Sequence, residues 1–262
     1  MSTVISKDGT TIAYERSGSG PALVLVNGAL DYRAVSANGK LADRLADRFN
    51  VYRYDRRGRG ESGDRLPYAL EREVEDIEAL IREAGEPAFL YGESSGACLV
   101  FEAALRLGER VRKIALYEPP YNSEESSRQR WRQYRKELEE ALAAGPKGEA
   151  LGLFMKLVGA TDEDVAQVRQ TPMWPSMEAV EQTLAYDAEI MGEEAALPVE
   201  QAAELETPAL VLNGGASFPF MEATARSLAQ AMPHGRHRIL EGQTHEVSAE
   251  ALAPALAEFF SE

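Results

Sequence analysis

The chain of 262 residues carries 28 Lys and Arg against 43 Asp and Glu, a formal charge of −15 with its three His neutral. Binders of nucleic acid and of anionic membranes draw their affinity from clustered Lys and Arg, so an acid excess of this size points away from both and toward a small, neutral or weakly polar partner. At 44% apolar and 27% charged the composition is that of a folded domain with a sizeable core, while one Cys allows no internal disulfide and three His make a multi-ligand zinc site hard to assemble.

In chain order, Thr3–Ser6 and Thr10–Arg16 on either side of Asp8-Gly9 predict an opening hairpin. Short apolar runs follow at Ala22–Asn27, Val51–Asp55, Ala88–Tyr91 and Arg112–Tyr117, each suited to a strand buried on both faces. Between them Lys40–Phe49, Leu70–Ala84 and Ser95–Leu107 have apolar residues at helical spacing. Strand and helix in alternation predict a mostly parallel sheet covered on both sides. The pattern returns with a strand at Ala209–Asn213, a helix over Met221–Met232, a strand at Arg236–Leu240 and a last helix over Ser248–Phe260.

Residues 121–205 break the alternation. Helical segments are expected there over Glu124–Ala144, Gly148–Val158, Asp162–Gln170 and Ser176–Met191, interrupted by Gly145-Pro146, Gly159 and the pair Pro172 and Pro175. The domains predicted are thus a core of residues 1–120 and 206–262 with an all-helical insertion at 121–205. Residues 119–206 hold 18 Asp and Glu against 8 Lys and Arg, so the acid excess concentrates in the insertion, where it fits the solvated face of amphipathic helices. No leader is visible in the polar stretch Met1–Tyr14, and no apolar run approaches the ~20 residues a membrane span needs, which predicts a cytoplasmic protein.

The sharpest motif is Gly92-Glu93-Ser94-Ser95-Gly96. It follows an apolar strand and opens a helix, a tight turn that leaves no room for side chains at the Gly positions and pushes Ser94 out at the C-terminal edge of the sheet. There the free N–H groups of a helix start favour developing negative charge. Cys98, one turn further on, is expected to be a small packing residue rather than a nucleophile.

With Asn27-Gly28-Ala29 after the third strand, Asp55-Arg56-Arg57-Gly58-Arg59-Gly60 after the fourth, this elbow, and Gly242-Gln243-Thr244-His245 after the last, nearly the whole chain resembles the α/β-hydrolase family. The resemblance implies a serine nucleophile, Ser94, served by His245, with no cofactor and no metal. Its usual acid position after the seventh strand is occupied here by Ser217. A hydroxyl cannot balance an imidazolium, so the acid is expected at Glu118, which ends the neighbouring sixth strand only ~4.8 Å away. Haloalkane dehalogenases and, more closely, fungal lactonases acting on zearalenone relocate the acid in this way. The lactonases share the Gly-x-Ser-Ser-Gly-Ala elbow and a Glu-x-Pro like Glu118-Pro119-Pro120. Asp31, Asp55 and Glu93 are the rival carboxylates: Asp55 is expected to fix its own turn, and Glu93 to point away from the base.

The backbone N–H of Ser95 follows from the elbow as one oxyanion donor, and Ala29 is the second that the resemblance implies. Asp31 is a charge that would oppose the oxyanion there. The insertion matches the family's cap, and Trp174 and Met173, with Met155, Phe154 and Leu30, are expected to line an apolar pocket over Ser94. The activity implied is cofactor-free cleavage of a carboxylic ester or lactone of an apolar small molecule, with no nucleic-acid or membrane partner and a homodimer left open. Carbon–carbon hydrolysis on the same scaffold and a weakly catalytic small-molecule receptor are the alternatives.

Overall fold

In the computed structural model, which describes residues 2–85 and 87–262, the strands β1 (Ser2–Ile5), β2 (Thr11–Ser17), β3 (Ala22–Val26), β4 (Asn50–Tyr54), β5 (Ala88–Glu93), β6 (Val111–Tyr117), β7 (Ala209–Gly214) and β8 (Gly235–Leu240) form one sheet. Its order is β1-β2-β4-β3-β5-β6-β7-β8. The first two strands pair antiparallel, β2 joins β4 antiparallel, and every later pairing is parallel. This is the α/β-hydrolase fold. Residues along a strand alternate faces, and here both faces are apolar. Leu23 and Leu25 of β3 enter one buried layer, while Val24 and Val26 enter the other.

Helices α1 (Asn38–Leu45), α2 (Leu70–Ala84) and α3 (Ser95–Leu107) alternate with the strands. α2 spans the length expected of it and stops at Gly85, whose φ of 75° closes the helix by an N–H bond to the Arg82 carbonyl. Between β6 and β7 the chain is helical: α4 (Glu125–Ala144), α5 (Glu149–Leu157), α6 (Asp162–Val168), α7 (Trp174–Glu178), α8 (Leu184–Met191) and α9 (Val199–Ala203). The last two helices are α10 (Pro219–Ala231) and α11 (Ala249–Ser261). α1 and α11 cover the Leu23/Leu25 layer; α2, α3, α10 and the insertion share the other. Among the described residues no helix is long and apolar enough to cross a membrane.

The single helix expected over Ser176–Met191 is instead α7, a 3-10 turn at Glu181–Thr183, and α8. The break has a tertiary cause. Glu181 is buried, and its carboxylate accepts the N–H groups of Gly148 and Leu151 at 2.9 and 3.3 Å, satisfying the free donors at the start of α5. Pro175 does not separate helices as expected but sits in the first turn of α7, where its missing N–H costs nothing. The Lys/Arg cluster of α4 meets acids of its own helix, of α8 and of the turn after α8: Arg132 pairs with Glu125 and Glu194, and Arg135 with Glu189 and Glu193.

Candidate active site

Ser94 stands between β5 and α3 with φ 54° and ψ −129°, a conformation L-residues avoid. The turn is held open for it. A Cβ on Gly96 would lie 2.5 Å from the carbonyl oxygens of Val26 and Asn27, so only glycine lets α3 approach β3 this closely. A Cβ on Gly28 would lie 3.1 Å from the Ser94 Cβ, which places the Asn27–Ala29 loop against the serine.

Glu118 follows directly after β6, is fully buried, and has the same unusual sign of φ, 47°. The Ser94 N–H donates to the carbonyl of Tyr117 at 2.9 Å, and the Glu118 N–H donates to that of Leu212 at 2.9 Å. Serine and carboxylate are therefore tied to adjacent strands at one edge of the sheet. The Glu118 carboxylate accepts from the Gly214 N–H and the Ser217 hydroxyl, each at 2.8 Å, and its Oε2 lies 2.6 Å from Nδ1 of His245. Tyr117 anchors the histidine loop through its hydroxyl, which donates to the Thr244 carbonyl. Ser217 thus contributes a donor to the Glu118 carboxylate from the position where an Asp was wanting. Of the other histidines, His237 Nε2 lies 2.7 Å from Asn213 Oδ1, and the exposed His234 lies near Glu206.

The remaining carboxylates separate by their partners. Asp55 accepts from the N–H groups of Arg33 and Glu61 and pairs with the Arg33 guanidinium, holding its own turn. Asp31 is raised above its ordinary value by burial, against the pull of Ser36, Tyr32, Arg59 and Arg53. Glu93 takes hydrogen bonds from Asn38 at 3.1 Å and Tyr91 at 3.5 Å rather than turning to the base. Burial, reinforced by the charge of Asp31, pushes its carboxyl up to about 7, although His245 is near enough to oppose the shift.

A carboxyl raised above its ordinary 4.5 stabilises the fold fully below that pH and loses the contribution as pH rises through about 7. Replacing it with a neutral isostere removes that loss. Relative to wild type, Glu93→Gln should gain up to about 3 kcal/mol of unfolding free energy between pH 5 and pH 8 in denaturant titrations; parallel curves for the two proteins would refute this.

The residues expected over Ser94 differ in burial and in partners. Met173 is 61% exposed. Trp174 is buried within the insertion, where its indole N–H donates to Glu178 at 3.0 Å, its ring packs against Gly148 and Arg169 lies over it. Met173 is thus insertion surface and Trp174 insertion core. Phe154 and Met155 are half-buried on the larger apolar cluster, and Leu30, at φ 61°, is buried in it beside Ala29. A cleft of about 440 Å³ opens between Tyr32, Arg33, Asp55 and Glu61 on one side and Ala179 and Val180 on the other; among the described residues its walls include neither Ser94 nor His245.

One aromatic side chain beside His245, and a second stacked on it, carried no role in the sequence reading. The Phe218 ring is 6.3 Å from the His245 imidazole and stacks at 6.2 Å on Phe220, both nearly half exposed at the start of α10. The signal was present in Phe218-Pro219-Phe220, directly after Ser217. Cys98 is fully buried, and burial pushes its thiol up to about 12, so it is a packing residue and not a thiolate.

The alpha/beta hydrolase family model matches residues 23–257. The chain belongs to the alpha/beta hydrolase family. Over 99% of its length this hydrolase is 48% identical to an alpha/beta hydrolase from Sphaerobacter thermophilus DSM 20745, covering 100% of that chain with a TM-score of 0.89. It is 20% identical to a thermophilic esterase from Thermogutta terrifontis, over 99% of its own length and 97% of the other, with a TM-score of 0.75, a likeness of fold. Among curated proteins it is 31% identical over 115 residues to the uncharacterized hydrolase YraK of Bacillus subtilis (strain 168), spanning 42% of each chain.

Proposed function

We propose that this hydrolase cleaves a carboxylic ester or lactone of an apolar small molecule through a Ser94–His245–Glu118 triad, with residues 121–205 acting as a cap on a core of residues 1–120 and 206–262. The observation that carries the reading is the 2.6 Å contact of His245 Nδ1 with a fully buried carboxylate, at the sheet edge where Ser94 occupies a strained elbow. A carboxylate there fixes the imidazole with Nδ1 protonated, leaving Nε2 to accept the serine proton, and stabilises the imidazolium that results.

Ser94 Oγ attacks the substrate carbonyl as His245 takes its proton, and the N–H groups of Ala29 and Ser95 receive the oxyanion. The imidazolium gives the proton to the departing alkoxide, and water, deprotonated by His245, then releases the acid from the acyl-enzyme. Phe218 next to the base, with Phe220 stacked on it, presents apolar surface, which supports an apolar substrate. The layout is similar to that of the zearalenone-type lactonases, with the acid after the sixth strand. A fluorophosphonate probe should label Ser94 stoichiometrically and abolish p-nitrophenyl ester hydrolysis, and Ser94→Ala should neither label nor turn over. Labelling at another residue, or full esterase activity in Ser94→Ala, would sink the reading.

A further inference from the structure

The loop that carries Ala29, the elbow residue Ser95 and the helical insertion meet in one buried ionic knot. Asp187 of α8 accepts the Ser95 hydroxyl at 2.8 Å through Oδ1, the same oxygen that receives Arg56 at 2.8 Å, while Oδ2 receives Arg59 at 2.7 Å. Arg59 also donates to the Gly28 carbonyl and to Thr183 Oγ1, and Arg56 to the Asn27 carbonyl at 3.3 Å. Both guanidinium groups and Asp187 are excluded from solvent.

The Gly28 carbonyl and the Ala29 N–H belong to one rigid, planar peptide and point in opposite directions. A guanidinium gripping the carbonyl therefore sets where that N–H points, and by polarising the peptide it strengthens the N–H as a donor. Ser95 is held from its other end, because a fixed hydroxyl limits the freedom of the first residue of α3, whose own N–H has no partner within the helix. We infer that Asp187 is a positioning residue for the oxyanion hole: through Ser95 directly, and through Arg59 and the Gly28 peptide, it aims both N–H donors from the helical insertion. This rests on the serine-hydrolase reading above. Burial alone would raise the Asp187 carboxyl, but Arg59, Arg56 and the Ser95 hydroxyl hold it below the usual carboxylate range, so the charge that orders the knot persists at neutral pH.

The test compares p-nitrophenyl butyrate with its thiono counterpart, whose C=S is longer and a poorer acceptor than the C=O the two N–H groups are aimed at. Asp187→Asn should lower kcat on the oxo ester about 10-fold or more with KM within about twofold. The thiono ester should be slowed much less, so the oxo-to-thiono rate ratio falls, and the pH at which the base titrates should stay where it is in wild type. A general structural loss would lower both rates together and leave the ratio unchanged. Ser95→Ala, which keeps the Arg–carboxylate pairs and the backbone N–H, should move the ratio in the same direction by a smaller factor, and it carries the test if Asp187→Asn is too unstable to purify. An unchanged ratio in both variants, beside a Ser94-dependent oxo preference in wild type, overturns this inference alone. Absence of that preference in wild type overturns the serine-hydrolase reading and the inference with it.

Discussion

Glu118→Gln should lower kcat by roughly 10³- to 10⁴-fold with little change in KM, since it removes the charge and leaves the shape. The reason lies in what surrounds the carboxylate. Oε1 receives the Gly214 N–H, and Oε2 receives the Ser217 hydroxyl and faces His245 Nδ1. A glutamine has one acceptor and one donor end. With its NH₂ toward Gly214, two donors oppose each other in a buried site. With the NH₂ toward His245, the imidazole is driven to the tautomer protonated on Nε2, which cannot take a proton from Ser94. In neither orientation is the imidazolium of the transition state balanced. Steady-state kinetics on a p-nitrophenyl ester, with the rate of fluorophosphonate labelling of Ser94, check the expectation; near-wild-type turnover would move the acid to another carboxylate.

The contact of Glu118 with His245 could be read from the chain because its cause is local. Ser217 occupies the place of an acid, and the sixth and seventh strands are neighbours, so a Glu at the end of one can serve a base that an Asp at the end of the other would serve. α2 and α3 were legible from apolar spacing, which is local as well. Asp187 was not legible. Its partners Arg56 and Arg59 lie 131 and 128 residues away, and in the sequence it is one acid among the 18 of residues 119–206. The fate of Trp174 was equally hidden, because an aromatic residue between prolines suits a pocket wall as well as a contact with Gly148 inside the insertion. The break of the helix over Ser176–Met191 depends on which N–H groups Glu181 meets, and local propensity does not contain that.

Arg56→Met should destabilise the fold by about 3–5 kcal/mol, the cost of leaving buried charge without its partner. Arg56 makes a two-bond contact with Glu73 of α2, at 2.7 and 2.8 Å, and a third bond with Asp187. Burial opposes its charge, but Glu73 and Asp187 hold its pKa well above the ordinary value. Methionine fills similar volume, so packing is mostly kept and the loss is electrostatic. Asp187 retains Arg59, whereas among the described residues Glu73 keeps only the Tyr68 hydroxyl at 3.0 Å. An unpaired buried carboxylate is disfavoured in its charged form, so in the variant the charge of Glu73 becomes a cost that protonation relieves. The sign follows from linkage: a raised carboxyl costs stability at high pH and recovers it as pH falls. Denaturant unfolding should therefore give a deficit relative to wild type that is largest near pH 8 and shrinks toward pH 5. The double change Arg56→Met with Glu73→Gln should recover part of it at pH 8, because the second substitution removes the stranded charge. A deficit that does not vary with pH, or a double variant less stable than the single one, would mean that the loss comes from packing and that the Arg56–Glu73 pair is not what ties α2 to the insertion.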